Sequence, residues 1–395
     1  MERLNNYPVI LVHGFSGFGD DEAISRLFPY YGMWNGNVNT YYNKLGTECY
    51  TPSIGAFSSL WDRCCELYAQ IVGGRVDYGK VHSEKNNHKR YGRTYRALVP
   101  DFGMLNSKGK IKKINLIGHS LGGPTVRMFI ELLVNGSKEE REGTPENELS
   151  SLFKGGKEKW VHSVTTLASA NDGISLLYAI EKYAPTVSRG LLKVGSALGH
   201  TPLSKVYDFG LDQFDITREP SMNLEFKINN AGIENYLNGD DCVLNDLYIH
   251  SARERMKDFK TYDSIYYFAY AGCRTKEKKK KNKHVPKSKM FFALKPVASI
   301  IGSFSIEQED RNHAAVLDDW KPNDGMVNTI SSIAPIGEEH EAFVSDKDCR
   351  PGVWYSMPIE EKDHMSYMGI GERPDIYWNF FFDILYRISN LKTVE

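Results

Sequence analysis

The sequence predicts an α/β protein built on a doubly wound, mostly parallel sheet. Val9-Ile10-Leu11-Val12 is a continuous apolar run stopped at His13-Gly14, as expected of a strand buried on both faces. Ile111, Ile114, Leu116 and Ile117 mark a second such strand. It runs through Gly118-His119-Ser120-Leu121-Gly122-Gly123 into a helix whose Val126, Phe129, Ile130 and Leu133 share one face. Strand candidates recur at 161–168, at 264–271 and in the run ending at Val327, and alternation of strand with helix is the pattern of parallel crossovers.

Between these strands, residues 61–72 carry apolar side chains at helical spacing and stop at Gly73-Gly74. The stretch 75–100 is polar, holds His82 and His88, and reads as an excursion from the main fold. From Ile174 to Leu198 the residues Leu176, Leu177, Ile180, Tyr183, Val187, Leu191, Leu192 and Val194 predict one or two helices with a broad apolar stripe. An amphipathic helix from Tyr377 to Leu391 closes the chain.

A chain of 395 residues accommodates two or three domains, or one large α/β domain with insertions. Lys+Arg of 49 against Asp+Glu of 50 leaves a net charge of −1, so no global basic field exists to hold nucleic acid. The 41% hydrophobic and 12% aromatic content builds a sizeable core and excludes a disordered or collagen-like chain. No apolar stretch reaches the roughly 18 residues of a membrane span, and no signal-peptide core precedes the first strand. As written the chain is expected to be cytoplasmic, or extracellular if it is a mature form. The six cysteines are scattered without a CxxC pair and read as mostly free thiols.

On a parallel sheet, Gly118-x-Ser120-x-Gly122 acquires chemical meaning. A serine on a sharp strand-to-helix turn needs glycines beside it, because neighbouring side chains would clash there. The residue after it starts a helix, where its N–H can face a developing oxyanion. Such a serine requires a base to take its proton, and in this architecture an acid and then a histidine follow it along the chain. His364, near the C-terminus and before the last helix, is the candidate base; His340 lies in a Glu-rich loop and reads as a surface residue. Asn323-Asp324-Gly325 has the form of a tight loop that aims a carboxylate, with Asp318 and Asp319 as runners-up.

Taken together these motifs resemble the large secreted triacylglycerol lipases of staphylococci and thermophilic bacilli, an α/β-hydrolase family with a broad lid. The matching segments run in the family's order: 8–17, 61–63, 68–79, 90–95, 118–123, 132–141, 164–168, 206–209, 323–329 and 363–364. The resemblance implies one α/β-hydrolase domain over 1–395, with helices on both faces of its sheet. Two insertions interrupt it, a small zinc-binding excursion at about 61–100 and a helical lid or cap at about 174–255. It implies Ser120, Asp324 and His364 as nucleophile, acid and base, and the main-chain N–H groups of Phe15 and Leu121 as the oxyanion hole. It also implies structural zinc on Asp62, His82, His88 and Asp246, two carboxylates and two imidazoles that can close a tetrahedral site. Calcium is not expected at the family's site beside the histidine, because Ser366 and Gly371 stand where acidic ligands are needed.

The expected activity is hydrolysis of long-chain acyl esters through an acyl-enzyme on Ser120, with lipid at an oil–water interface as partner. A carboxylesterase or a phospholipase would share that chemistry. A non-catalytic membrane-surface protein, docking by peripheral contact through the six lysines of 276–283, is the reading from another class. An intact triad argues against it.

Overall fold

The computed structural model describes residues 3–183, 210–218, 226–228, 230–309 and 313–394. Seven strands form the central sheet: β1 (Val9–Val12), β2 (Cys49–Tyr50), β3 (Ile114–His119), β4 (Val161–Leu167), β5 (Tyr266–Tyr270), β6 (His340–Ala342) and β7 (Trp354–Ser356). Their order is β6-β7-β5-β4-β3-β1-β2, and every pairing is parallel. The strand order reverses direction beside β1, so the turns following β1 and β3 open at the same edge of the sheet, where doubly wound folds place ligands.

Alternation along the strands builds two cores. Val9, Leu11, Ile117, Leu167, Phe268 and Tyr270 face one side and pack with Tyr377, Phe381, Ile384 and Ile388 of the C-terminal helix. Ile10, Val12, Leu116, Val164 and Tyr267 face the other. There they meet helix α1 (Leu60–Val72), through Cys64, Leu67 and Ile71, and helix α2 (Gly122–Asn135), through Val126, Phe129 and Leu133. Burial of a side chain such as Phe129 or Leu67 contributes about 2–3 kcal/mol, so both sheet faces are strongly held. Helix α3 (Leu176–Tyr183), helix α4 (Lys295–Ile301) and helix α5 (Pro374–Asn390) follow.

The strands expected at 161–168 and 264–271 appear as β4 and β5, the first ending one residue earlier and the second starting two residues later and ending one earlier. Ile111 lies ahead of β3 and bridges Leu105 instead. The run ending at Val327 makes no strand. Asn323 and Asn328 are joined by one isolated bridge, the Asp324 N–H donates to the Val327 carbonyl at 3.1 Å, and Gly325 takes φ +105°. The Asn-Asp-Gly turn closes a tight loop before any pairing can form. The polar excursion carries an antiparallel pair, Gly74–Asp77 with Tyr91–Tyr95, around a short helix at Lys80–Lys85.

Of the apolar stripe expected from Leu176 onward, Leu176 to Ala179 are buried at the start of α3. The Tyr178 hydroxyl accepts the His250 N–H at 3.1 Å and lies 2.7 Å from His250 Nδ1, which pins that turn. Val187, Leu191, Leu192 and Val194 lie outside the described residues. All six cysteines are free thiols, four of them buried. Among the described residues no helix is long and apolar enough to cross a membrane.

Candidate active site

Ser120 stands in the turn between β3 and α2 with φ +57°, a left-handed conformation that costs a non-glycine residue roughly 1–3 kcal/mol. Its N–H donates to the Leu167 carbonyl at 3.0 Å, which holds the turn. The glycines on either side are needed for approach. A Cβ on Gly118 would lie 2.4 Å from the Gly122 carbonyl oxygen, and one on Gly122 would lie 2.1 Å from that of Val12. Substitution at either would force α2 away from β1 and β3.

The structure brings the three residues named from the sequence into one relay. Ser120 Oγ lies 2.9 Å from His364 Nε2, and His364 Nδ1 lies 2.8 Å from Asp324 Oδ2. The other oxygen of Asp324 accepts the N–H groups of Met326 at 2.9 Å and Val327 at 2.8 Å, so the carboxylate cannot rotate away. The His364 N–H donates to the Asp324 carbonyl at 2.9 Å, coupling the loops that carry the two residues directly. With Nδ1–H given to Asp324, Nε2 is left to accept the serine proton. Asp318 and Asp319 start a 3-10 turn and are exposed, and His340 is an exposed residue of the edge strand.

The loop after β1 passes against Ser120, since a Cβ on Gly14 would lie 2.7 Å from Ser120 Cβ. Phe15 follows it, and Leu121 is the cap of α2. No hydrogen bond among the described residues uses the N–H of either Phe15 or Leu121. Arg63, fully buried on α1, fastens this loop by donating to the carbonyls of His13 and Gly55 and to Thr125 Oγ1.

A second relay runs behind the site and went unseen in the sequence. The Gly14 N–H donates to the Tyr30 hydroxyl at 2.9 Å, which lies 2.8 Å from His119 Nδ1. His119 Nε2 lies 3.2 Å from the His364 carbonyl. The His364 carbonyl can only accept, so neutral His119 carries its hydrogen on Nε2 and donates it there, and its bare Nδ1 accepts the Tyr30 hydroxyl proton. Burial, and then the neighbouring His364, hold His119 well below the usual histidine range, as a neutral link requires. The relay ties the loop carrying Phe15 to the backbone of His364.

Arg274 was also missed. Its guanidinium lies 3.1 Å from Asp363 Oδ2 and 3.6 Å from Glu372, and Nε donates to the Glu361 carbonyl at 3.1 Å. Asp363 further accepts the Phe291 N–H at 2.9 Å and the Ser366 hydroxyl at 3.1 Å. The Arg274 N–H donates to the Asn323 carbonyl at 3.1 Å, beside the acid. The side-chain charge therefore compensates the two carboxylates nearest the place where the resemblance would put calcium. The Ser366 hydroxyl donates to Asp363 and Gly371 offers no side-chain oxygen, so these two positions do not supply the carboxylates that a cation of six to eight oxygens favours.

About the polar excursion, Asp62, His82, His88 and Asp241 converge, with one ligand atom from each within 4.8 Å of the others. The fourth residue is thus Asp241 and not the expected Asp246. Asp246 uses one oxygen to accept the Leu60 N–H at 2.7 Å, at the start of α1, and the other to pair with Arg255. His82 Nε2 lies 3.4 Å from Asp62 Oδ1 and 3.3 Å from Asp241 Oδ2, and His88 Nε2 lies 3.4 Å from the latter. A tetrahedral ion with ligands at about 2.0–2.1 Å has edges of about 3.3–3.4 Å. Asp62 Oδ1, His88 Nε2 and Asp241 Oδ2 are buried without a hydrogen-bond partner, which a cation would resolve.

The outer shell suits ligation as well. His88 Nδ1 lies 2.9 Å from the Lys89 carbonyl and Gln213 donates to Asp62 Oδ2 at 2.7 Å, which leaves the facing atoms free to coordinate. Burial, and then the Asp241 carboxylate, push Asp62 above the usual carboxylate range. A buried Asp₂His₂ cluster of this kind can bind a metal ion.

Comparison with known proteins places this architecture. Lipase 1 of Staphylococcus aureus (strain MRSA252) is 33% identical over 368 residues, 92% of this chain and 51% of that protein. The Staphylococcus epidermidis lipase is 34% identical over 92% of this chain and 50% of its own length. The chain thus spans about half the length of these relatives. Among solved structures, EstA from Clostridium botulinum superposes with a TM-score of 0.82 at 35% identity, covering 100% of this chain and 90% of that one. Staphylococcus hyicus lipase superposes at 0.81 with 29% identity, covering 97% and 96%. With the sequence model of the family described as "Lipase-like, C-terminal domain" matching residues 5–377, the chain belongs to that family.

Proposed function

We propose that this chain is a serine ester hydrolase, a triacylglycerol lipase that cleaves long-chain acyl esters through an acyl-enzyme on Ser120. The observation that carries the reading is the continuous relay from Ser120 through His364 to Asp324, at 2.9 and 2.8 Å. The lipase names of the staphylococcal relatives support the substrate class.

In this mechanism His364 Nε2 takes the serine proton as Oγ attacks the ester carbonyl, and Asp324 holds the imidazole in the productive tautomer. The N–H groups of Phe15 and Leu121 receive the oxyanion, a term worth about 3–4 kcal/mol per donor in comparable sites. His364 then protonates the leaving alcohol, the acyl-enzyme forms, and water activated by the same imidazole releases the acid.

The chain works as one domain with two insertions. The insertion at about 174–255 acts as a lid that shields the site in water and opens on lipid, starting from the pinned first turn of α3. The metal is structural zinc, held by Asp62, His82, His88 and Asp241; bound there, it supplies a closed crosslink and takes no part in the reaction. Turnover of p-nitrophenyl esters from C4 to C16 by the wild type and by Ser120→Ala tests the reading. Preference for the long chains, abolished in the variant, is expected; activity confined to C4 would make the enzyme a short-chain esterase, and activity in Ser120→Ala within tenfold of wild type would remove the assignment.

A further inference from the structure

We propose that the Lys276–Lys283 hairpin and the outer face of α4 form a docking surface for anionic lipid beside the active site. This rests on the lipid-hydrolase reading only for its biological purpose, not for its chemistry. Thr275–Lys278 pairs antiparallel with Lys283–Pro286, and the turn between them is Lys279–Lys281. Six lysines against Glu277 give the eight residues 276–283 a formal charge of +5, in a chain whose total is −1. None of these six lysines has a carboxylate partner among the described residues.

The hairpin packs on α4, where the His284 N–H donates to the Gly302 carbonyl at 2.8 Å. On α4 and the turn before it, Leu294, Ala298 and Ile301 point inward, while Phe292, Ala293, Pro296 and Ile300 are exposed at helical spacing. Phe292 is 75% exposed. An apolar face beside a dense, unpaired basic rim is the composition of a peripheral membrane surface. A polyanion such as nucleic acid would use the lysines but leave the aliphatic face wet, so an anionic lipid layer is the occupant that satisfies both halves.

Position gives the surface its use. Phe291 donates its N–H to Asp363, next to His364, and Leu294 packs against Gly325, next to Asp324. Met290, Leu294 and Ala298 share a cluster with Met326 and Met365. Docking would bring the lipid layer to the loops that carry the acid and the base.

The test uses Ser120→Ala, so that binding is read without turnover, sedimented with vesicles of phosphatidylcholine alone or with about one third phosphatidylglycerol. Near an anionic surface each lysine is worth about fivefold in affinity. We expect at least tenfold tighter binding to the anionic vesicles, falling with salt. Combining Lys278→Glu, Lys279→Glu, Lys280→Glu and Lys281→Glu should abolish that preference, and Phe292→Ser should weaken binding at high salt. In the Ser120-containing enzyme the lysine changes should leave turnover of a soluble ester unaltered and lower it on anionic emulsions. Equal binding to both vesicles, equal binding by the charge-reversed protein, or a dimer that Phe292→Ser dissolves would overturn the proposal. Failure of the enzyme on every ester would instead strike the functional reading and leave the binding result standing.

Discussion

Asp241 and Asp246 are five residues apart and chemically alike, yet they should respond to substitution in opposite ways. Asp241 Oδ2 is buried, lacks a hydrogen-bond partner and lies 3.3–3.4 Å from two imidazoles. A zinc present at a thousand times its dissociation constant stabilises the folded state by about 4 kcal/mol. At about 2 °C per kcal/mol for a chain of this size, chelation should lower the melting temperature of the wild type by about 8 °C. Asp241→Asn replaces a carboxylate ligand by a neutral amide and should already melt near the chelated value, with well under one zinc per chain and little further response to chelator. Asp246→Asn loses its charge pairing with Arg255, a cost of about 2 kcal/mol or 4 °C, while its remaining oxygen can still accept the Leu60 N–H. It should keep about one zinc and the full chelator response. Elemental analysis and thermal melts with and without chelator decide the matter. Zinc lost from Asp246→Asn and kept in Asp241→Asn would refute the assignment.

Ser120→Ala should lower kcat by about 10⁴-fold or more, and Asp324→Asn by about 10⁴-fold, with both proteins melting near the wild type; pre-steady-state ester turnover measures this, and losses under tenfold would contradict the relay. Arg274→Ala should reduce kcat with little change in KM, because it loosens the loop before His364 rather than the acyl site, and Arg274→Lys should recover part of the loss; a change confined to KM would rule out that positioning role. Burial, and then Lys113, hold His162 at about 3, so the folded state keeps the ring neutral while the unfolded chain protonates near 6.5. Its stabilisation is complete above pH 6.5 and falls by about 1.4 kcal/mol per pH unit below it, about 2 kcal/mol by pH 5. Urea unfolding of His162→Gln should therefore show a pH 7 to pH 5 loss smaller by about that amount, and identical profiles would exclude it.

How much of this was legible in the sequence depends on whether a residue's role is written in its neighbours. Ser120 sits between glycines whose spacing a strand-turn-helix demands, Asp324 lies in an Asn-Asp-Gly turn, and His364 precedes the last helix in the required chain order. All three are set by local backbone grammar, and all three meet in the fold. The strand expected before Val327 failed for the same reason in reverse, since the turn that aims Asp324 consumes the residues that would have paired.

Asp241 had no such signature. Asp240, Asp241 and Asp246 lie within one seven-residue stretch, and only the convergence of α1, the 80–88 excursion and this segment selects among them. Resemblance pointed to two aspartates and two histidines, the residue types that cluster here, but named Asp246 where Asp241 stands, because a carboxylate at the N-terminus of α1 satisfies a helix as readily as a metal. Tyr30, His119 and Arg274 were invisible for a further reason: each acts on a partner between 16 and 245 positions away, through bonds whose direction depends on what the other atoms of that partner are bonded to. Tyr30 donates to His119 Nδ1 because the hydrogen of that ring is committed, on Nε2, to the His364 carbonyl. Composition and spacing carry no record of that order, so the support of a catalytic site is the part of it that has to be read from coordinates.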